Sequence, residues 1–210
     1  MNRQQVGLRA PAEVTLIPDA DLAPPLWRAV ADRHPQPWWY ASRDRTADPG
    51  RFDLRHPHGT CYWAGAPATA IIEATVDPDQ TDPPVITIAA LQRLTVWRCD
   101  DQQVTDGRLA DVTIASVPEL TAEISTIVPY TLPWQWADAL HADGRAAIVY
   151  AARLGMGGAV ARFGEHGTPA DPPDTHVSPA TAHLADLPDG YRVGISTPGA
   201  LASLPRATPP

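Results

Sequence analysis

The residues best suited to chemistry lie between Gly50 and Thr75, in the run GRFDLRHPHGTCYWAGAPATAIIEAT. This run carries Arg51 between Gly50 and Phe52, Tyr62 in an apolar stretch, and Glu73 inside a helical pattern. A strand presents a ring at 62 while the next helix returns a carboxylate toward it from 73. Arg51 offers a planar, permanently charged fork that matches carboxylate or phosphate. Two readings stand at this point: an Arg51–Glu73 ion pair that supports the surrounding loop, or a pocket for an anion and a ring. Arg28, further upstream, either joins such a pocket or snorkels at the surface. Residues 28–58 hold Arg28, Arg33, Arg43, Arg45, Arg51 and Arg55 against Asp32, Asp44, Asp48 and Asp53. That is a cationic segment in a chain of net charge −8, and it fits a small anionic ligand.

Short elements must hold these groups. Leu22–Arg33 reads as a helix or strand entering the domain, and His34–Arg55 as a long loop, ordered because it carries Trp38, Trp39 and Tyr40, in which Trp38 and Trp39 line a cleft or pack beneath the loop. Cys61–Ala64 is expected to be a strand and Ala66–Val76 a helix, with Pro67 in the first turn. β-Branched content marks strands at Val14–Ile17, Val85–Ala90 and Leu94–Cys99. Helices are expected at Pro118–Thr126 and Trp134–His141, the second ending near Gly144. Ala146–Ala151 and Ala159–Phe163 read as strands around a Gly155–Gly158 turn. Val177–Leu187 has weak helical character, Tyr191–Ile195 reads as a strand, and the last ten residues as a tail. Short strands mixed with short helices, without regular βαβ alternation, indicate an α+β fold.

The chain has 210 residues, 44% of them apolar, enough for one domain with a proper core. Its acidity argues against direct nucleic-acid binding, which needs a basic face. Cys61 and Cys99 suggest buried free thiols rather than a disulfide framework. His34, His56 and His58 read as solvated loop histidines, because no carboxylate or Cys completes a metal-ligand spacing; no metal is expected. With no apolar leader and no membrane span, a cytoplasmic location is expected.

The run resembles the RES domain family, in which Gly-Arg-aromatic leads to a Tyr-x-Ala strand and an Ala-x-x-Glu helix. Here these are Gly50-Arg51-Phe52, Tyr62-Trp63-Ala64 and Ala70-Ile71-Ile72-Glu73. Leu26-Trp27-Arg28-Ala29-Val30, Leu94–Asp100, Tyr130–Leu140 with Trp136-Ala137, Ile148-Val149-Tyr150 with Arg153, and Ala161-Arg162-Phe163-Gly164 extend the resemblance in order. It covers residues 22–165, between an N-terminal extension, 1–21, and a Pro-rich C-terminal extension, 166–210. The resemblance implies an ADP-ribosyltransferase-like mixed fold with a central split β-sheet and short flanking helices. It implies NAD as substrate, with no cofactor, and cleavage of the nicotinamide–ribose bond with phosphate or water as acceptor. Arg28 and Arg51 would clamp the pyrophosphate, Tyr62 would face the nicotinamide, and Glu73 would stabilise the oxocarbenium-like centre. It further implies the toxin of a toxin–antitoxin pair, with a helix-turn-helix antitoxin and a homodimer as partners. The alternatives are transfer of ADP-ribose to a protein, or a weakened nucleotide-binding or protein-interaction module. Family members carry a Ser at positions that read here as Pro133 or fall within Tyr150-Ala151-Ala152-Arg153; Thr131 and Ser125 are the nearby hydroxyls.

Overall fold

The order of strands in the sheet, not the order in the chain, decides what meets at the site. In the computed structural model residues 11, 17–31, 36–75, 85–100, 104–113, 122–125, 127–153, 157–171, 177–180 and 192–194 are described. Within them the chain runs β1 (Leu26–Ala31), β2 (His58–Ala64), α1 (Pro67–Thr75), β3 (Val85–Thr87), α2 (Ile88–Leu91), β4 (Leu94–Cys99) and β5 (Leu109–Asp111). A 3₁₀ turn, Ala122–Ser125, precedes α3 (Thr131–Ala142), β6 (Ala147–Ala151), β7 (Gly158–Glu165), β8 (Val177–Ala180) and β9 (Arg192–Gly194). Seven strands form one mixed sheet in the order β5-β6-β7-β2-β1-β4-β8, while β3 and β9 pair in parallel apart from it. The α+β class expected from sequence is therefore observed.

Period-two alternation gives this sheet two apolar faces. One face carries Ala110, Ile148, Tyr150, Ala159, Ala161 and Phe163, and Trp136, Ala137 and Leu140 of α3 pack on it. The same face continues over β1 and β4, because Trp27 stands opposite Ala64 and Ala29 opposite Val96. There α1 seals it with Ile71 and Ile72, both fully buried. The other face carries Leu26, Cys61, Trp63, Cys99, Val149 and Val160, and the loop residues Trp38 and Tyr40 close it. Each buried side chain of this size contributes about 1.5–3 kcal/mol, so the loop is a structural layer of the domain.

Helix α3 ends as its sequence suggests. Gly144 has φ 78°, open to glycine but strained for other residues. The Arg145 N–H then donates to the Leu140 carbonyl at 3.0 Å, the long bond of a Schellman turn.

Several expectations are corrected. The strand expected at Val85–Ala90 stops at Thr87, and Ile88–Leu91 forms a helical turn instead. Val177–Ala180, read as helical, is a strand on β4, where a sheet edge outweighs weak helical propensity. Strand β5, at Leu109–Asp111, falls where no element was expected. The part of the expected Pro118–Thr126 helix that is described, Ala122–Ser125, is a 3₁₀ turn. Residues 14–16 of the first expected strand, residues 181–187 of the segment read as helical, and the last ten residues lie outside those described.

Candidate active site

The site begins with a defect in the sheet. β1 pairs with β4 along its whole length, from Leu26↔Cys99 to Ala31↔Leu94, but with β2 only at Trp27↔Ala64. Beyond that rung the two strands part, and the sheet is split. Arg28 bridges the gap: its Nη1 donates to the Tyr62 carbonyl at 3.4 Å, and its Nη2 to the Trp39 carbonyl at 3.0 Å. Nη1 also contacts Sγ of the buried Cys61. Burial pushes the Cys61 thiol up, against the opposing pull of the Arg28 charge.

The Gly50–Asp53 turn stands over the Tyr62 end of β2. The Tyr62 hydroxyl accepts from the Phe52 N–H and donates to Asp53 Oδ1, both at 2.8 Å. The other Asp53 oxygen accepts from the Gly50 N–H at 2.7 Å. A Cβ at position 50 would lie 2.7 Å from the Tyr62 hydroxyl, so this close approach requires glycine. Thr60 and α3 hold the turn from outside: the Thr60 hydroxyl donates to the Phe52 carbonyl at 2.8 Å, and Trp134 Nε1 to the Gly50 carbonyl at 2.9 Å. Arg43 donates to the Asp53 carbonyl and forms a bidentate pair with Asp138 of α3. Asp53 is fully buried, and burial pushes its carboxyl up to about 6 despite the Gly50 N–H, the Tyr62 hydroxyl and the Arg28 and Arg43 charges.

Between these anchors the turn projects Arg51, which is 8% exposed. Arg51 Nη1 donates to the carbonyls of Ile124 and Ile127 at 3.3 and 3.2 Å, and the guanidinium lies 4.6 Å over the Tyr130 ring. Glu73 stands on the exposed side of α1, opposite the buried Thr69–Ile72 face. Tyr150 projects from β6, its ring edge-on to Phe52 at 5.0 Å. Burial, then the nearby Glu73 charge, holds its phenol far above the ordinary value, while Arg51 pulls it down.

These groups enclose a cavity of about 250 Å3 at the split, lined by Arg28, Arg51, Tyr62, Glu73, Tyr130 and Tyr150 among others. The four residues singled out from sequence thus meet in one cavity. Their exposures differ: Arg51 and Tyr62 are built into the wall, and Glu73 stands at the rim. The Arg28 guanidinium is occupied with main-chain carbonyls of β2 and the loop. Trp38 packs against Trp63 on the opposite face of the sheet, so it belongs to the core and not to this cleft. His58 stacks near His141 at 4.5 Å and His56 near His166 at 5.8 Å; no group of three metal-capable side chains occurs among the described residues.

Sequence reasoning missed Asp53, Tyr130 and Tyr150 as site residues. Tyr150 was recoverable, because Ile148 and Tyr150 alternate with Val149 and must share a face. Tyr130 and Asp53 gave no such signal. Among the described residues, the hydroxyls lining the cavity belong to Tyr62, Tyr130 and Tyr150. Ser125 is buried beside the carbonyl that Arg51 grips, Thr131 is exposed, and Pro133 is buried in α3.

Fold and site together define an α+β domain in which a split sheet opens onto an Arg–Tyr–Glu cavity. The model of the RES domain matches residues 25–186, most of the chain, and the protein belongs to that family. Among solved structures, a chain in the crystal structure of the M. tuberculosis MbcT-MbcA toxin-antitoxin complex is similar, at 10% identity and a TM-score of 0.45. That similarity covers 78% of this chain and 87% of the other. No curated protein matches significantly. No helix among the described residues is long and apolar enough to cross a membrane.

Proposed function

We propose that the protein cleaves the nicotinamide–ribose bond of NAD, with phosphate or water as acceptor. The observation that carries this reading is the convergence of Arg51, Tyr62 and Glu73 on one cavity. At about 250 Å3 the cavity suits the nicotinamide nucleoside end of the dinucleotide, with the remainder along its mouth. The ring stacks on the aromatic wall of Tyr62, Tyr130 and Tyr150. Among the described residues both hydrogen bonds of Arg51 leave from Nη1, so its remaining N–H groups are available to phosphate oxygens. Glu73 stabilises positive charge at the anomeric carbon as the bond breaks. Nicotinamide departs as a neutral molecule from a cationic pyridinium, so no strong general acid is needed. Family membership supports an ADP-ribosyltransferase-like fold, a toxin role, inhibition by a helix-turn-helix antitoxin and self-association as parts of the same proposal.

A second reading, a nucleotide-binding module with weakened catalysis, is favoured by two observations. The Arg28 guanidinium is engaged by protein carbonyls, and no Ser or Thr hydroxyl lines the cavity among the described residues. Nicotinamide release by the purified protein, with and without phosphate, separates the two. Wild type is expected to release nicotinamide, Glu73→Gln to lose about 100-fold or more in kcat, and Arg51→Ala to raise KM. Folded wild type that binds NAD without releasing nicotinamide establishes the second reading, and absence of both binding and release rejects both.

A further inference from the structure

We infer that Asp53 is a positioning residue for the cavity, holding Arg51 and Tyr62 at a fixed spacing through its two carboxylate oxygens. This rests on the proposed function only for its kinetic readout. Asp53 itself is fully buried beneath the turn and does not line the cavity. One oxygen accepts from the Gly50 N–H and the other from the Tyr62 hydroxyl. The Tyr62 hydroxyl in turn accepts from the Phe52 N–H. The residues immediately before and after Arg51 are therefore tied to the same carboxylate–phenol pair. The backbone that projects Arg51 and the ring that walls the cavity move as one unit. The missing rungs between β1 and β2 make this necessary, because the ladder alone does not hold the Tyr62 end of the site on that side.

The arrangement needs an ionised carboxylate. Both oxygens of Asp53 face donors, so a proton on either one opposes the Gly50 N–H or reverses the Tyr62 bond. The groups facing it are the Gly50 N–H, the Tyr62 phenol, the Arg28 and Arg43 guanidinium groups and, across the cavity wall, the Tyr150 phenol. Burial favours the protonated form, so the positioned state is lost on moderate acidification.

The test compares wild type, Asp53→Asn, Tyr62→Phe and the double variant in nicotinamide release from pH 5 to pH 8, with thermal unfolding measured alongside. Asn keeps the shape but replaces one acceptor by a donor; Phe keeps the ring but removes the hydroxyl. Each single variant is expected to raise KM for NAD about tenfold, the effect of one hydrogen bond to a charged group. The double variant should lose little more than either single one, since both break one linked unit. Wild type should show an acid limb with its midpoint near 6 that is absent from Asp53→Asn. Unchanged KM in folded Asp53→Asn, additive losses, or an acid limb retained in that variant would overturn the inference. Should Asp53→Asn not fold, Tyr62→Phe and the wild-type profile still decide it. The second readout needs no turnover: carbon NMR of the wild-type Asp53 carboxyl should titrate near pH 6, with the Arg51 side-chain signal following it. Titration near the ordinary value of 3.8, or an Arg51 signal that ignores it, rejects the inference even if NAD is not the substrate.

Discussion

A buried carboxyl without a full counter-charge leaves a thermodynamic signature. Asp53 binds its proton up to about pH 6 in the folded protein, against an ordinary value of 3.8. In that window the folded state holds more protons than the unfolded chain, so stability falls as pH rises. The contribution is present in full below 3.8, lost through about 6, and on the order of 2–3 kcal/mol. Urea unfolding of wild type and Asp53→Asn at pH 4 and pH 7 is expected to show this: the difference between the pH values shrinks in the variant. An equal pH dependence in both proteins would mean that the carboxyl is not buried as described. Activity should run the other way across the same window, which separates a positioning role from a purely structural one. Arg51, Tyr62 and Glu73 were legible because residue type, spacing and family resemblance agreed. Asp53 was not, because an Asp in a polar turn has the composition of any solvated loop, and only tertiary burial distinguishes it.

Helix α1 is the element that carries Glu73, and its attachment is almost wholly apolar. Its turns present Thr69 to Ile72 to β1, β2 and β4, with no acidic residue in its first turn and no basic residue in its last. Packing therefore fixes where Glu73 stands. Ile71 is fully buried in the cluster with Ile72, Ile86 and Val96. Ile71→Val should reduce stability by about 1 kcal/mol and Ile71→Ala by about 2–5 kcal/mol, measured by urea denaturation. A loss below about 0.5 kcal/mol for Ile71→Ala would show that α1 does not pack as described. The helix was readable because Pro67, an apolar stripe and the absence of β-branched runs until Ile71 all point the same way. The short elements α2 and β8 were not: four residues leave propensity too little to act on, and sheet edges and neighbours decide.

At the scale of the whole molecule, the segment before β1 is locked onto the sheet edge furthest from the split by one buried guanidinium. Arg145, 2% exposed, donates to the carbonyls of Ile17 and Leu109 and contacts Asp19, while its Nε reaches Asp143. Asp19 also forms a bridge with Ala110 of β5. No spacing in the sequence announces this, because Asp19 and Ile17 lie 126 and 128 residues from Arg145 and the bonds to Ile17 and Leu109 are made to main-chain carbonyls. Arg145→Met keeps the stem but takes the donor from the Ile17 carbonyl, while the Leu109 carbonyl keeps the Ala20 N–H. The expected loss is about 1–3 kcal/mol, with Asp19 adding little because its side chain is 64% exposed. Arg145 lies two residues before β6 and Tyr150 near the strand's far end, about 16 Å away along an extended chain. Well below the unfolding transition, nicotinamide release by Arg145→Met should therefore match wild type even though its urea midpoint is lowered. Unchanged stability would show that this anchor does not hold the segment. Lost activity in a fully folded variant would show that the sheet edge and the cavity are coupled through β6, and that the site depends on the whole sheet rather than on the split alone.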